Sequence, residues 1–139
     1  MTKIIVIEDE VVLGKIYRDN LIRAGYESMT ADSIEAAVKL AESFQADLFL
    51  LDQGLDVGKD GVEGLDDLKK CFPKAIFIVL SNYTKRDIEE KAAIVDAANA
   101  NEQYTENVKS VSAFWDKLTH GSSLVPKLKE FLKEKGIKN

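Results

Sequence analysis

The sequence is poor in residues that would indicate several common classes of protein. Its 139 residues include one cysteine, one histidine and two prolines. The lone cysteine, Cys71, cannot form an internal disulfide, and its helical surroundings favour a small packing residue over a redox site. The lone histidine, His120, is predicted to lie on the surface in irregular C-terminal chain. The sequence therefore argues against a disulfide scaffold and against histidine catalysis.

Long apolar runs and nucleotide-binding motifs are also missing. The N-terminal apolar run, residues 4–7, is too short for a signal-peptide core or a membrane span, which predicts a cytoplasmic protein without a membrane partner. No Gly-Lys-Ser/Thr follows the glycine-rich stretch 54–64, so a phosphate-binding nucleotide loop is not expected. The net charge of −5 gives no overall attraction to nucleic acid, and the lysines of the C-terminal tail alternate with glutamates. Nucleic-acid binding is therefore not expected.

What the sequence does contain is an alternation of apolar strands and amphipathic helices. The predicted strands are 4–7, 27–31, 48–51 and 75–80, with a weak fifth at 102–105, and helical patterns cover 11–24, 33–44, 62–72 and 86–98. Strands that are apolar at every position are typical of a sheet covered on both faces. The alternation therefore predicts a doubly wound, five-stranded parallel sheet.

The C-terminal third is harder to interpret. Val111, Phe114, Trp115 and Leu118 recur at helical spacing, and a second apolar stripe runs from 124 to 132. We predict two short helices or one broken helix there, with Phe114 and Trp115 in the core in preference to exposed interface anchors. The chain is expected to be one domain, 1–139, with its core at about 2–107 and a helical region at about 108–137.

Three acidic residues follow two of the predicted strands. Glu8 and Asp9 come directly after 4–7, and Asp52 comes directly after 48–51. Because the carboxyl ends of parallel strands meet at one edge of the sheet, these side chains are expected to share a pocket. Such a pocket suits Mg²⁺, with Asp52 as a nucleophile for a phosphoryl group and the Ser81 hydroxyl at the next strand end as a hydrogen-bond donor to it.

The arrangement resembles the receiver domain of two-component response regulators. The likeness is carried by four segments: IIVIEDE at 4–10, DLFLLD at 47–52, Asp60-Gly61, and IVLS at 78–81. It implies a fold with the flavodoxin-like strand order. It also implies a histidine kinase or phosphotransfer protein as phosphoryl donor, and a downstream protein partner.

The resemblance also implies roles for individual residues. Asp52 matches the phosphoacceptor, Glu8 and Asp9 match the acidic pair that binds Mg²⁺, and Ser81 matches the switch hydroxyl. The backbone carbonyl of Gly54 would be a further metal ligand in such a domain.

Two positions depart from the family pattern. Receivers usually carry a Lys-Pro pair after the fifth strand. One alignment places Glu106 at the position of this lysine. If Tyr104 is instead taken as the family's switch aromatic, three residues before the lysine, Asn107 falls at the lysine position. Neither alignment supplies a cation at this position. Lys109 and Lys85 are the possible substitutes, but both are expected to lie in solvent. Asn82 replaces the usual small residue after the switch hydroxyl.

These observations leave competing hypotheses. The leading one is a single-domain receiver that is phosphorylated on Asp52 with Mg²⁺ and signals through protein contacts, without being an enzyme in the usual sense. The alternative is a degenerate receiver that acts as a phosphorylation-independent interaction module, as Glu106 and Asn82 would suggest. A metal-dependent phosphatase or other α/β hydrolase is a third, disfavoured because no second general acid is predicted beside Asp52.

Overall fold

The computed structural model describes residues 2–54, 60–117 and 123–137, which form a five-stranded sheet covered by helices. Every neighbouring pair of strands is parallel, and the strand order is β2-β1-β3-β4-β5. The strands are β1 Lys3–Ile7, β2 Glu27–Ala31, β3 Leu48–Asp52, β4 Ile76–Ser81 and β5 Ala113–Asp116. The predicted doubly wound, flavodoxin-like architecture is confirmed.

In the part of the chain that the structure describes, six α-helices lie on the two faces of this sheet. They are α1 Val11–Arg23, α2 Ile34–Lys39, α3 Leu65–Cys71, α4 Lys85–Asn99, α5 Gln103–Lys109 and α6 Leu124–Glu134, and a 3₁₀ turn at Leu40–Glu42 follows α2. Core residues of α2 to α5 pack on one face, and those of α1 and α6 pack on the other.

The all-apolar strands are explained by this two-sided covering. Along β3, Phe49 and Leu51 contribute to the core beneath α2 to α5, whereas Leu48 and Leu50 contribute to the core beneath α1 and α6. Successive side chains of a strand point to opposite faces, so a strand covered on both sides needs an apolar residue at every position. Every residue of β3 is buried.

Local sequence signals set several element ends. Ser33 is the N-cap of α2, and its hydroxyl accepts a hydrogen bond from the Ala36 N–H at 3.1 Å. Gly25 follows α1 with φ of +100°, a conformation that favours glycine. Pro126 lies in the first turn of α6. Cys71 ends α3 as a half-buried residue packed against the core.

The buried face of α1 differs from the sequence interpretation. The helical spacing of the apolar residues Val12 and Ile16 predicts that they face the core, yet these side chains are 72% and 50% exposed. The residues that α1 buries are Gly14, Tyr17 and Leu21, at spacing i, i+3, i+7. A Cβ on Gly14 would lie 3.6 Å from the Cβ of Glu8, an ordinary van der Waals contact, so at this position α1 faces the end of β1. A hydrophobicity pattern gives no weight to such a glycine.

The chain after residue 100 also differs from the sequence interpretation. The prediction of a strand at 102–105 is wrong, because this segment begins α5. The prediction of a helix around Phe114 and Trp115 is also wrong, because these residues form β5. Asp96 on α4 caps α5 by accepting the N–H groups of Tyr104 at 3.0 Å and Thr105 at 2.9 Å. Sequence periodicity does not register this tertiary cap.

In β5, Phe114 and Trp115 pack on opposite faces of the sheet. The buried Trp115 confirms the expected core position, although in a strand. Leu118 and His120 lie outside the described residues.

Candidate functional site

Three carboxylates meet where β1 and β3 end. Ile7 pairs with Leu51 in the parallel ladder, so the residues that follow them, Glu8 and Asp52, emerge side by side. Glu8, Asp9 and Asp52 each offer a carboxylate oxygen, and these oxygens lie within 4.8 Å of one another. The structure therefore brings together the three acids that the sequence singled out.

Two of these acids are buried. Glu8 is 3% exposed and Asp52 is 5% exposed. Asp52 Oδ1 accepts the Gly54 N–H at 3.0 Å. Glu8 Oε2 is buried and has no hydrogen-bond partner among the described residues. A buried acceptor without a partner costs free energy unless a cation or a donor reaches it.

A cation that the sequence interpretation missed completes the pocket. The Nζ of Lys117 donates to Glu8 Oε1 at 2.8 Å and to Asp52 Oδ2 at 3.1 Å. Lys117 is the first residue after β5, and its N–H donates to the Ser81 carbonyl at 3.0 Å, which extends the ladder between β4 and β5. The lysine thus reaches the pocket from a third strand end.

The position of Lys117 corrects the predicted register. Glu106 lies on α5 with its side chain 60% exposed and pairs with Lys109, so it does not occupy the lysine position. The family pattern of an aromatic residue three positions before the lysine, for which Tyr104 was considered, is met by Phe114 and Lys117. That pairing was the signal in the sequence, and the prediction of a helix at 111–118 hid it.

The electrostatics follow from burial and proximity. Burial, followed by the neighbouring Asp52 carboxylate, raises the pKa of Glu8 to about 8. Burial alone would raise the pKa of Asp52, but hydrogen bonds from the Glu8 carboxyl and the Gly54 N–H, together with the Lys117 charge, lower it overall. Burial would lower the pKa of Lys117, but its two acidic partners raise it. The pocket therefore holds an ionised Asp52, a charged lysine and a Glu8 that retains its proton near neutral pH.

The fourth predicted residue lies on the neighbouring strand. Asp52 pairs with Leu80 in the ladder, and Ser81 is the next residue of β4. Ser81 is buried, and its Oγ accepts the Tyr83 N–H at 2.8 Å. Asn82 is exposed.

Comparisons with known proteins identify the family. The sequence model described as "Response regulator receiver domain" matches residues 4–102, and the chain belongs to this family. It is 31% identical over 97 residues to the KDP operon transcriptional regulatory protein KdpE of Escherichia coli, with 70% of this chain and 41% of that protein aligned. It is 37% identical over 78 residues to the alkaline phosphatase synthesis transcriptional regulatory protein PhoP of Bacillus subtilis, with 56% and 31% aligned. The chain thus spans well under half the length of these relatives.

Solved structures show the same fold. A CheY-like receiver domain protein from Methanospirillum hungatei superposes with a TM-score of 0.72 at 20% identity, covering 98% of this chain and 97% of that one. The response regulator TrrA of Thermotoga maritima, solved in complex with Mg²⁺-BeF, gives a TM-score of 0.66 at 24% identity, with 94% and 98% covered.

Membership in this family defines the general role. Receiver domains are signalling domains of two-component systems, not enzymes of a conventional class. The degenerate alternative loses its main support, since it depended on a missing cation that Lys117 supplies. Among the described residues, no helix is both long and apolar enough to cross a membrane.

Proposed function

We propose that the chain accepts a phosphoryl group on Asp52 from a histidine kinase or phosphotransfer protein, with Mg²⁺, and signals through contacts with a downstream protein. The observation that supports this most is the double contact of Lys117 with Asp52 and Glu8. It joins three strand ends around one ionised carboxylate.

The proposed reaction is an in-line transfer to a carboxylate. An Asp52 oxygen forms a bond to the phosphorus of a phosphohistidine, the P–N bond breaks, and the donor imidazole leaves with the electron pair. Lys117 is placed to move from the carboxylate to an oxygen of the new phosphoryl group. The Ser81 hydroxyl, which accepts a hydrogen bond in the present state, can donate its own proton to another of these oxygens.

The residues of the pocket fit a hard divalent cation. Glu8, Asp9 and Asp52 each offer an oxygen within 4.8 Å of the others, which makes an oxygen-rich donor set. In the described part of the chain, the buried Glu8 Oε2 also has no hydrogen-bond partner. Glu8, Asp9, Asp52 and the Gly54 carbonyl would hold Mg²⁺. When bound, Mg²⁺ would neutralise charge on the phosphoryl oxygens.

The domain boundaries are part of the proposal. We propose one domain over 1–139, since β5 and α6 complete the same sheet and the same core as the family-matched region. The lysine after β5 makes the C-terminal part necessary for the site.

Phosphorylation by a small donor tests the proposal. The protein is incubated with acetyl phosphate and Mg²⁺, and its intact mass is measured. The wild type should gain one phosphoryl group, Asp52→Asn should gain none, and Asp116→Asn, which removes an exposed acid at the end of β5, should behave as the wild type. A folded wild type that gains nothing would instead support a constitutive interaction module.

A further inference from the structure

The helix α5 contacts the chain that leaves the proposed phosphoacceptor. The family match ends at residue 102, one residue before α5 begins, and α5 separates α4 from β5. It is anchored on α4 through Asp96, which caps two of its N–H groups. Its side chains reach the connection between β3 and α3, which starts directly after Asp52.

One side chain of α5 contacts that connection at two points. The Tyr104 hydroxyl accepts a hydrogen bond from the Gln53 amide at 2.8 Å and donates one to Asp60 Oδ2 at 3.0 Å. Gln53 is the residue next to Asp52, and Asp60 opens the turn that leads into α3. Tyr104 is 3% exposed and its hydrogen bond with Gln53 is buried, which strengthens that bond, whereas its bond to Asp60 is part-buried.

The same network fixes Val62, two residues beyond Asp60. Its N–H donates to Gln53 Oε1 at 2.9 Å, and its carbonyl accepts the Asn107 amide at 3.0 Å. Gln53 therefore uses its oxygen toward Val62 and its nitrogen toward Tyr104. Side chains of α5 and Gln53 therefore hold the connection near Asp52 and again near Val62.

Protonation keeps this network in one arrangement. Burial and the nearby Asp60 charge raise the pKa of Tyr104, so its hydroxyl remains a donor throughout the neutral range. Lys91 on α4 contacts the same Asp60 oxygen at 2.6 Å and supplies positive charge to it. Tyr104 and Lys91 together give Asp60 two donors from two helices.

We propose that Tyr104 is a positioning residue for the phosphoacceptor site, holding Gln53 and Asp60 so that Gly54 presents its backbone to Asp52 and the metal. This inference rests on the proposed function for its link to phosphorylation. Gly54 follows Gln53 directly, its N–H already binds Asp52 Oδ1, and its carbonyl belongs to the proposed donor set. Loss of the Tyr104 hydroxyl would leave the Gln53 amide without its acceptor and Asp60 with one donor fewer.

Removal of a single hydroxyl tests the inference. Tyr104→Phe is compared with Tyr26→Phe, a change at another buried tyrosine, which lies in the core on the other face of the sheet. Three quantities are measured: amide exchange at Gly54 and Val62 without Mg²⁺, the dissociation constant for Mg²⁺, and the lifetime of the phosphorylated form. Global stability is followed in urea.

Tyr104→Phe should speed amide exchange at both positions by about tenfold or more and weaken Mg²⁺ binding by about tenfold, as loss of an outer partner of a metal ligand does. The lifetime of its phosphorylated form should change by more than the change in its free energy of unfolding can account for. Tyr26→Phe should leave exchange and Mg²⁺ affinity unchanged. Gln53→Ala should resemble Tyr104→Phe, and the double variant should lose little more than either.

The outcomes separate this inference from the proposed function. Unchanged exchange and Mg²⁺ affinity in Tyr104→Phe, or fully additive effects with Gln53→Ala, would overturn the inference even if Asp52 is phosphorylated. A wild type that binds Mg²⁺ but takes up no phosphoryl group would overturn the proposed function, while a weaker Mg²⁺ affinity in Tyr104→Phe would still support the positioning role.

Discussion

Two polar regions lie on either side of Asp52, and they are built differently. In the acidic pocket, Glu8 and Asp52 share one lysine, and Glu8 Oε2 has no partner among the described residues. In the network around α5, the side chains of Gln53, Tyr104 and Asn107 all have partners at 2.8 to 3.2 Å. The pocket retains charge that the fold does not fully compensate, whereas the network is satisfied by the fold itself.

This difference predicts different responses to pH and to cations. The pocket contains carboxylates whose pKa values are shifted in opposite directions, so its contribution to stability changes with pH. The network consists mainly of amide, hydroxyl and backbone groups, which do not titrate near neutral pH. Uncompensated charge is thus concentrated where chemistry is proposed, and satisfied hydrogen bonds surround it as support.

The largest effect on stability is expected from removing the lysine of the pocket. Lys117→Met should lower the free energy of unfolding by about 3 kcal/mol at pH 8, because it leaves the buried Asp52 carboxylate, and the part of Glu8 that is ionised at that pH, without a counter-charge. The loss should be smaller at pH 5, where Glu8 is protonated and carries no charge. Urea denaturation at the two pH values measures both quantities.

The matched control is a lysine outside the pocket. Lys109 is 68% exposed and pairs with the exposed Glu106, so Lys109→Met should change stability by less than about 0.5 kcal/mol at either pH. Equal losses in the two variants would contradict the assigned role of Lys117.

The next largest effect should be a stabilisation. Glu8 has a folded-state pKa of about 8 against 4.5 for an ordinary glutamate, so between these values the folded protein holds a proton that the unfolded chain has released. Stability should therefore fall as pH rises from about 4.5 to 8. Glu8→Gln, which imitates the protonated form, should be more stable than the wild type by a few kcal/mol at pH 8 and by less than about 1 kcal/mol at pH 5.

Thermal unfolding across this pH range, without divalent cations, tests that prediction. Glu35→Gln, at an exposed position in the first turn of α2, serves as the control and should keep the wild-type pH dependence. A wild type whose stability does not decline between pH 5 and 8 would show that Glu8 is not held protonated.

The smallest effect should come from the network and should not depend on pH. Asn107 is buried and donates to the Val62 carbonyl at 3.0 Å and to Asp66 Oδ1 at 3.2 Å. Asn107→Ala should cost about 1 to 2 kcal/mol, since it leaves a buried carbonyl without its donor. Unfolding in urea at pH 5 and pH 8 should give the same loss, and a loss that varies strongly with pH would remove the distinction between the two regions.

The sequence was sufficient to predict β1, β3 and β4 and the acids that follow two of them. A run such as Leu48–Leu51 is apolar at every position because it is covered on both faces, and this leaves few alternatives to a buried parallel strand. Strand ends then determine where the acids go. Glu8, Asp9 and Asp52 could therefore be placed in one pocket without coordinates.

The C-terminal part could not be predicted in the same way. β5 has four residues at the edge of the sheet, and its two adjacent aromatic residues, which follow Ala113 and precede Asp116, also fit one turn of a helix. α5 depends on the cap from Asp96 and on buried contacts of Tyr104 and Asn107, which are tertiary. With β5 misplaced, Lys117 was missed and Glu106 took its position in the alignment.

The central claim is that Asp52 is the residue that receives the phosphoryl group in the pocket completed by Lys117. Borohydride reduces an aspartyl phosphate to homoserine, so reduction after treatment with acetyl phosphate and Mg²⁺, followed by peptide mass mapping, identifies the modified residue. The account predicts homoserine at position 52 and at no other aspartate. Modification at another aspartate, or none in a folded protein that binds Mg²⁺, would contradict it.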